Sequence, residues 1–150
     1  MAAGESEDWK RRLKALGIVR KRKPRTARHD ARKVESGRAG EDAAAAYLEA
    51  HGAAVLARNV RYRNGEIDLV VDDAGTTAFV EVKRRRNDAR GTPAEAVTSK
   101  KRDRVIRAAR RWLVENPKRA RTREVRFDVI AIQDDSPAVE WLRGAFDASR

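Results

Sequence analysis

Gly65-Glu66-Ile67-Asp68 is followed, after Asp72-Asp73-Ala74-Gly75, by Glu81-Val82-Lys83. Side chains two positions apart on a strand share a face. Glu66, Asp68 and Val70 therefore share one side of a predicted strand, with Ile67, Leu69 and Val71 on the core side. Phe79, Glu81 and Lys83 share one side of the next strand. A hairpin turn centred between Ala74 and Gly75 sets Asp68 opposite Glu81, with Cβ atoms about 4.5–5.5 Å apart. Facing carboxylates repel, and a cation between them turns that repulsion into binding. Mg²⁺, or Mn²⁺ in its place, takes one or two carboxylates and completes its shell with water and phosphate oxygens. Such an ion can bridge a phosphodiester and acidify the attacking water. Lys83 offers a compact positive charge to that water or to the charge developing on phosphorus. An exposed strand face carrying salt bridges would use the same residue types. The joint placement on adjacent strands favours a site, since either motif alone is weak.

The elements that must position these groups are legible in outline. Ala39, Ala43, Ala44, Tyr47 and Leu48 recur at helical spacing, predicting a helix over residues 37–51 capped by Gly52. Strands are predicted at Ala54–Val60, Glu66–Val71, Ala78–Lys83 and Phe127–Ile132, with a short edge strand at Val139–Leu142. Thr92-Pro93-Ala94-Glu95 has the spacing of a capping box with proline at the first helical position. It opens a helical region that runs to Asn116, with a candidate break at Thr98-Ser99 and a stop at Pro117. The order is α-β-β-β-α-β with a candidate final β, an α/β arrangement of helices covering a mixed sheet. Glu41 lies near the apolar stripe of the first helix. It is either a further site acid that contacts the metal, its water or Lys83, or an exposed first-turn glutamate favoured by the helix dipole.

The charge of +12 is unevenly spread. Residues 10–33 hold twelve Lys/Arg against Asp30 alone, whereas residues 34–150 hold 23 against 19 acids. The chain thus divides into a basic extension, 1–36, expected to be disordered by itself, and a domain, 37–150. The extension is either a nucleic-acid-binding arm or a nonspecific solvated tail. There are no cysteines, which excludes a disulfide scaffold and thiolate metal sites. The N-terminus is acidic with no apolar run after it, and no stretch approaches the roughly 20 apolar residues of a membrane span. A cytoplasmic protein without a membrane partner is expected. No Walker loop, dinucleotide glycine pattern or nucleophilic Ser/Cys constellation is present. His29 and His51 are too far apart in sequence to suggest a metal pair.

Together these residues resemble the PD-(D/E)XK nuclease superfamily. More narrowly, the chain is similar to the YraN-like family of bacterial proteins, whose fold is akin to that of archaeal Holliday-junction resolvases. The resemblance runs from Gly37 to Phe146. It is carried by Gly37-Arg38-Ala39-Gly40-Glu41, Arg58-Asn59, Gly65-Glu66-Ile67-Asp68-Leu69, Phe79-Val80-Glu81-Val82-Lys83 and Arg126-Phe127-Asp128-Val129-Ile130-Ala131, with Lys100 and Ala145-Phe146. It implies a restriction-endonuclease-like three-layer fold. It also implies metal binding by Asp68, Glu81 and the Val82 backbone carbonyl, water activation by Lys83, and a helical acid at Glu41. Where the superfamily has proline before the metal aspartate, this chain has Ile67. The basic extension lies outside the resemblance.

Arg84, Arg85 and Arg86 follow the site directly and are candidates for phosphate contact, or else a solvated loop. Lys100 is the preferred candidate on the basic helix. Asp128 is a possible third acid, with structural hydrogen bonding the better account. Trp112 and Trp141 are expected in the core. The expected function is a Mg²⁺- or Mn²⁺-dependent endonuclease, with DNA preferred over RNA and branched or damaged DNA suggested by the resemblance alone. The alternatives are a non-catalytic nucleic-acid-binding module, or an adaptor whose basic arm contacts RNA, including ribosomal RNA. The oligomeric state is left open, a homodimer included.

Overall fold

The computed structural model describes residues 29–85, 90–122, 124–133 and 138–148, with side chains from residue 37 onward except that of 122. Residues 1–28 of the basic extension and Arg86 lie outside the described residues. The elements are α1 (His29–Ala50), β1 (Ala54–Tyr62), β2 (Gly65–Asp73), β3 (Thr76–Arg85), α2 (Ser99–Glu115), α3 (Pro117–Thr122), β4 (Val125–Gln133) and β5 (Val139–Phe146). The chain is an α/β protein whose five strands form one mixed sheet in the order β1-β2-β3-β4-β5. Among the described strands only β3 and β4 pair in parallel, and α2 and α3 make the crossover between them. A parallel pair needs such a crossover, because a tight hairpin can join only antiparallel strands.

Helix α1 starts eight residues before the predicted boundary, since nothing from Asp30 to Ser36 breaks a helix. It ends where Gly52 takes φ 90°, with Ala53 N–H returning to the Leu48 carbonyl. Ala43, Ala44, Ala45 and Leu48 are buried against Leu69, Val71, Ala78, Val80, Ile130 and Ile132 on one sheet face. Four successive alanines let the helix come close at little conformational cost. On the other face, Val105, Ala108, Ala109 and Trp112 of α2 pack on Val70, Phe79, Phe127 and Val129. Phe79 meets Trp112 edge-on, with ring centroids 5.7 Å apart. The result is three layers: α1, sheet, α2.

Burial on both faces corrects the assignment of one core face to β2. Val70 and Phe79 are fully buried beneath α2, and Ile67 joins them there instead of packing with Leu69 and Val71. Strict alternation would put Ile67 with Leu69. The strand therefore departs from it around Asp68, where β2 parts from β3.

The Thr92–Glu95 capping box forms, with Thr92 Oγ1 accepting from Glu95 N and Glu95 Oε2 accepting from Thr92 N. It closes only a turn. Thr98, extended at ψ 156°, then caps α2 by accepting from Lys101 N, so the break at Thr98-Ser99 is real. Pro117 follows the Asn116 cap and opens α3, the helical position that proline tolerates best. Strand β5 runs four residues beyond the predicted edge strand, ending with Phe146 stacked on Phe127 at 5.2 Å.

Candidate functional site

The β2–β3 hairpin closes on Ala74 and Gly75, both at positive φ, with Asp73 paired to Thr76. Two-residue hairpin turns favour this conformation. The turn is thus centred where the sequence places it. The ladder, however, stops at Leu69↔Val80. Strand β2 continues on β1 to Tyr62↔Gly65, and β3 continues on β4 to Arg85↔Gln133. The two strands fork at the step that would pair Asp68 with Glu81. Asp68 compensates: its Oδ2 accepts from Val82 N at 2.8 Å, where a backbone carbonyl would otherwise serve.

Glu81 points into the fork and is 4% exposed. Its Oε2 is fully buried and has no hydrogen-bond partner; Thr77 Oγ1 is the one other such atom among the described residues. Its Oε1 lies 3.7 Å from Lys101 Nζ. Burial, reinforced by the Asp68 carboxylate beside it, pushes the Glu81 carboxyl up to about 8, with Lys101 and then Lys83 pulling the other way. Glu41 reaches the fork from α1. Its carboxyl is also raised, first by burial and then by Asp68, while a hydrogen bond from Asn59 opposes the shift. Asn59 takes φ 50° between Arg58↔Leu69 and Val60↔Ile67, level with Asp68. Asparagine tolerates that left-handed conformation better than most residues.

Lys101 comes from α2, on the other side of the sheet. Its Nζ donates to Glu66 Oε1 at 2.5 Å. Burial disfavours its charge, but Glu66 and Glu81 outweigh burial and hold the ammonium above its usual range. The Lys101 bond, more than any other influence, lowers the Glu66 carboxyl. The fork thus gathers Asp68, Glu81, Glu41, Glu66, Asn59, Lys83 and Lys101 from α1, α2 and three strands.

Asp68, Glu81, Lys83 and Glu41 meet here, and the Val82 backbone runs through the site. Lys100 does not: it is exposed and lines a groove with Arg63, Asn64, Asp103, Arg104 and Arg107. The α2 lysine at the carboxylates is its neighbour. The signal was available, because Lys101, Val105, Ala108 and Trp112 follow i, i+4, i+7, i+11. Extending the buried stripe back one turn lands on Lys101. Arg84 lays its aliphatic stem beside Gly40 on the α1 side. Arg85 donates to the carbonyls of Arg90 (3.2 Å) and Gly91 (2.7 Å), which ties down its guanidinium. Asp128 is structural. It is fully buried and accepts from Arg126, from Trp141 Nε1 at 2.9 Å and from Gly144 N at 2.9 Å. Among the described residues, no group of three or more His, Asp or Glu side chains is arranged to enclose a metal ion. A two-carboxylate site of the kind Mg²⁺ uses would lie below that number. Nor is any helix there long and apolar enough to cross a membrane.

Fold and fork together define an α/β domain with an acidic cluster at a break in its central strand pairing. Residues 40–132 match the profile of uncharacterised protein family UPF0102. The chain is 46% identical over 123 residues to a UPF0102 protein of Halorhodospira halophila, covering 82% of this chain and 94% of that one. It is 48% identical over 113 residues to one of Frankia casuarinae, covering 73% and 94%. It is 43% identical over 105 residues to one of Vibrio cholerae, covering 70% and 86%. The chain belongs to the UPF0102 family.

Proposed function

We propose that this protein is a metal-dependent endonuclease that hydrolyses phosphodiester bonds in DNA. The observation that carries the reading is Glu81 Oε2: a carboxylate oxygen buried without a partner, beside Asp68, at a fork between strands. A buried, unsatisfied carboxylate is costly, so without a cation the site keeps a proton in place of the charge, and the candidate ligands here are oxygens. Asp68 and Glu81, helped by the Val82 carbonyl, would hold Mg²⁺ or Mn²⁺. The bound ion supplies Lewis acidity and a reactive water. Asp68 is already oriented by the Val82 N–H. Lys83, on the strand that carries Glu81, adds positive charge toward the attacked phosphate. Glu41 and Asn59 close the α1 side, where Glu41 would contact the ion or its water. The likeness of the motif set to PD-(D/E)XK nucleases supports the same reading.

A specific observation favours a second reading. Lys101 already offers its charge to Glu66 and Glu81, so a non-catalytic nucleic-acid-binding domain could keep this cluster without metal. The discriminating experiment incubates purified protein with linear, nicked and branched DNA and RNA in Mg²⁺ or Mn²⁺. Cleavage that disappears in Asp68→Ala and Lys83→Ala is expected. An intact panel, or cutting that persists in both variants, sinks the enzymatic reading.

A further inference from the structure

The β1–β2 turn and α2 form a second surface beside the fork. Lys100, Arg104, Arg107 and Arg111 recur at i, i+4, i+7, i+11 and are all exposed. That spacing makes a single helical stripe. Val105, Ala109 and Trp112, buried against the sheet, fix the rotation of the helix and leave the stripe outward. Arg63 and Asn64 of the turn face the stripe. A Cβ at Gly65 would lie 2.0 Å from the Arg104 carbonyl oxygen, so only glycine lets the turn seat against the helix. An open groove of about 320 Å³ lies between them, lined by Arg63, Lys100, Arg104 and Arg107, with Asn64 and the single carboxylate of Asp103. A neighbouring groove of about 450 Å³ continues past Arg107 to Arg110 and Arg111. Arg111 is partly engaged by Glu115 at 3.1 Å. At the other end, Arg104 acts on Glu66, which is bonded to Lys101 at the fork.

The chemistry of the surface narrows its partner. From Lys100 to Arg111 the stripe is roughly 16 Å long at 1.5 Å per residue, about five phosphate steps along one strand of a duplex. A lipid surface would need an apolar face beside the cations, but the apolar side of α2 is buried in the core and Val114 is the one large apolar side chain of α2 left exposed beside the stripe. The only aromatic residue lining either groove is Tyr62, half-buried, with its hydroxyl donated to Glu115. Neither groove offers an open ring for a base to stack on, and single-strand binding relies on such stacking.

We propose that the α2 stripe and the β1–β2 turn form a track for the phosphate backbone of double-stranded nucleic acid, holding the duplex beside the fork without reading its sequence. The track rests on the functional reading above only for the direction in which it leads. Its test needs no cleavage. Full-length protein is titrated against a fluorescent duplex of about two helical turns, in EDTA, across a salt series. Each lost phosphate contact flattens the slope of log K on log salt by about 0.9. Arg104→Ala/Arg107→Ala should therefore bind more weakly, with a slope shallower by about two. Lys118→Ala/Arg121→Ala on α3 should keep the wild-type slope. That helix is anchored through Arg119 to Asp72, roughly 20 Å along β2 from Glu66.

An unchanged slope in the groove variant, or an equal change in the α3 variant, overturns the track. So does a single strand of equal length binding as tightly as the duplex. Binding to phosphatidylserine vesicles that needs the same two arginines would assign the surface to lipid instead. A failed cleavage panel removes the enzymatic reading and leaves this result standing; an unchanged slope does the reverse.

Discussion

Glu81 makes the sharpest demand on the protein's behaviour. Its carboxyl is held at about 8 against an ordinary 4.5, burial being the main cause. Between those values the folded protein keeps the proton while the unfolded chain releases it. The native state then binds more protons, and stability falls as pH rises. The folding penalty is absent below the unfolded value and complete above the folded one. Each pH unit in that window is worth about 1.4 kcal/mol, so from about pH 5 to about pH 7.5 this group removes roughly 3 kcal/mol. Glu81→Gln keeps the shape and removes the titration. Urea denaturation of wild type and variant in EDTA, across that range, isolates the term. The stability difference, variant minus wild type, should grow by roughly 3 kcal/mol toward high pH. Adding about 10 mM Mg²⁺ should narrow the gap, because an ion that binds the folded wild type stabilises it by mass action and the variant lacks one ligand. A difference that stays constant with pH would refute the account of Glu81 as a buried, proton-holding carboxylate.

Two further substitutions separate the site from the scaffold. Lys101→Met removes the ammonium shared by Glu66 and Glu81 and should cost about 1–3 kcal/mol at neutral pH in EDTA. Mg²⁺ should recover more of the urea midpoint in this variant than in wild type; equal recovery would show that the ammonium and the ion do not compete. Asp128→Ala leaves Arg126 with Asp73 as its remaining carboxylate and takes the acceptor from the N–H groups of Trp141 and Gly144, and should cost about 1–3 kcal/mol. Calorimetric Mn²⁺ titration of the folded variant should match wild type, and weakened binding would place Asp128 in the site after all.

Much of this architecture can be read from residue pattern, because its determinants are local. Ala74-Gly75 specifies a two-residue turn through backbone conformations that few residue pairs adopt. The Thr92–Glu95 box forms its reciprocal bonds. The alanine and leucine spacing of α1 marks a helix face. Where the pattern misled, the cause was long-range. The Thr92 cap and the candidate break at Thr98-Ser99 are both legible, but that the first closes only a turn and α2 starts at the second goes with Val97 being buried in the core. Glu81 is not on an exposed face because α2 covers that side of the sheet, seated there by Trp112 against Phe79. Lys101 differs from its neighbour Lys100 only in the phase it holds on the buried stripe, and that phase takes it to the carboxylates.

The sequence by itself determined the carboxylates and lysine of Asp68, Glu81 and Lys83, their spacing on adjacent strands, and the turn that brings those strands together. Those properties follow from side-chain chemistry and the two-residue period of a strand. Only the tertiary structure decided that β2 and β3 part at Asp68, that Glu81 is buried with an unpaired oxygen, and that Lys101, Glu66, Asn59 and Glu41 complete the cluster. Burial and charge coupling depend on what the other layers place at the fork. No local pattern carries that, because the contributing residues lie on elements far apart in the chain.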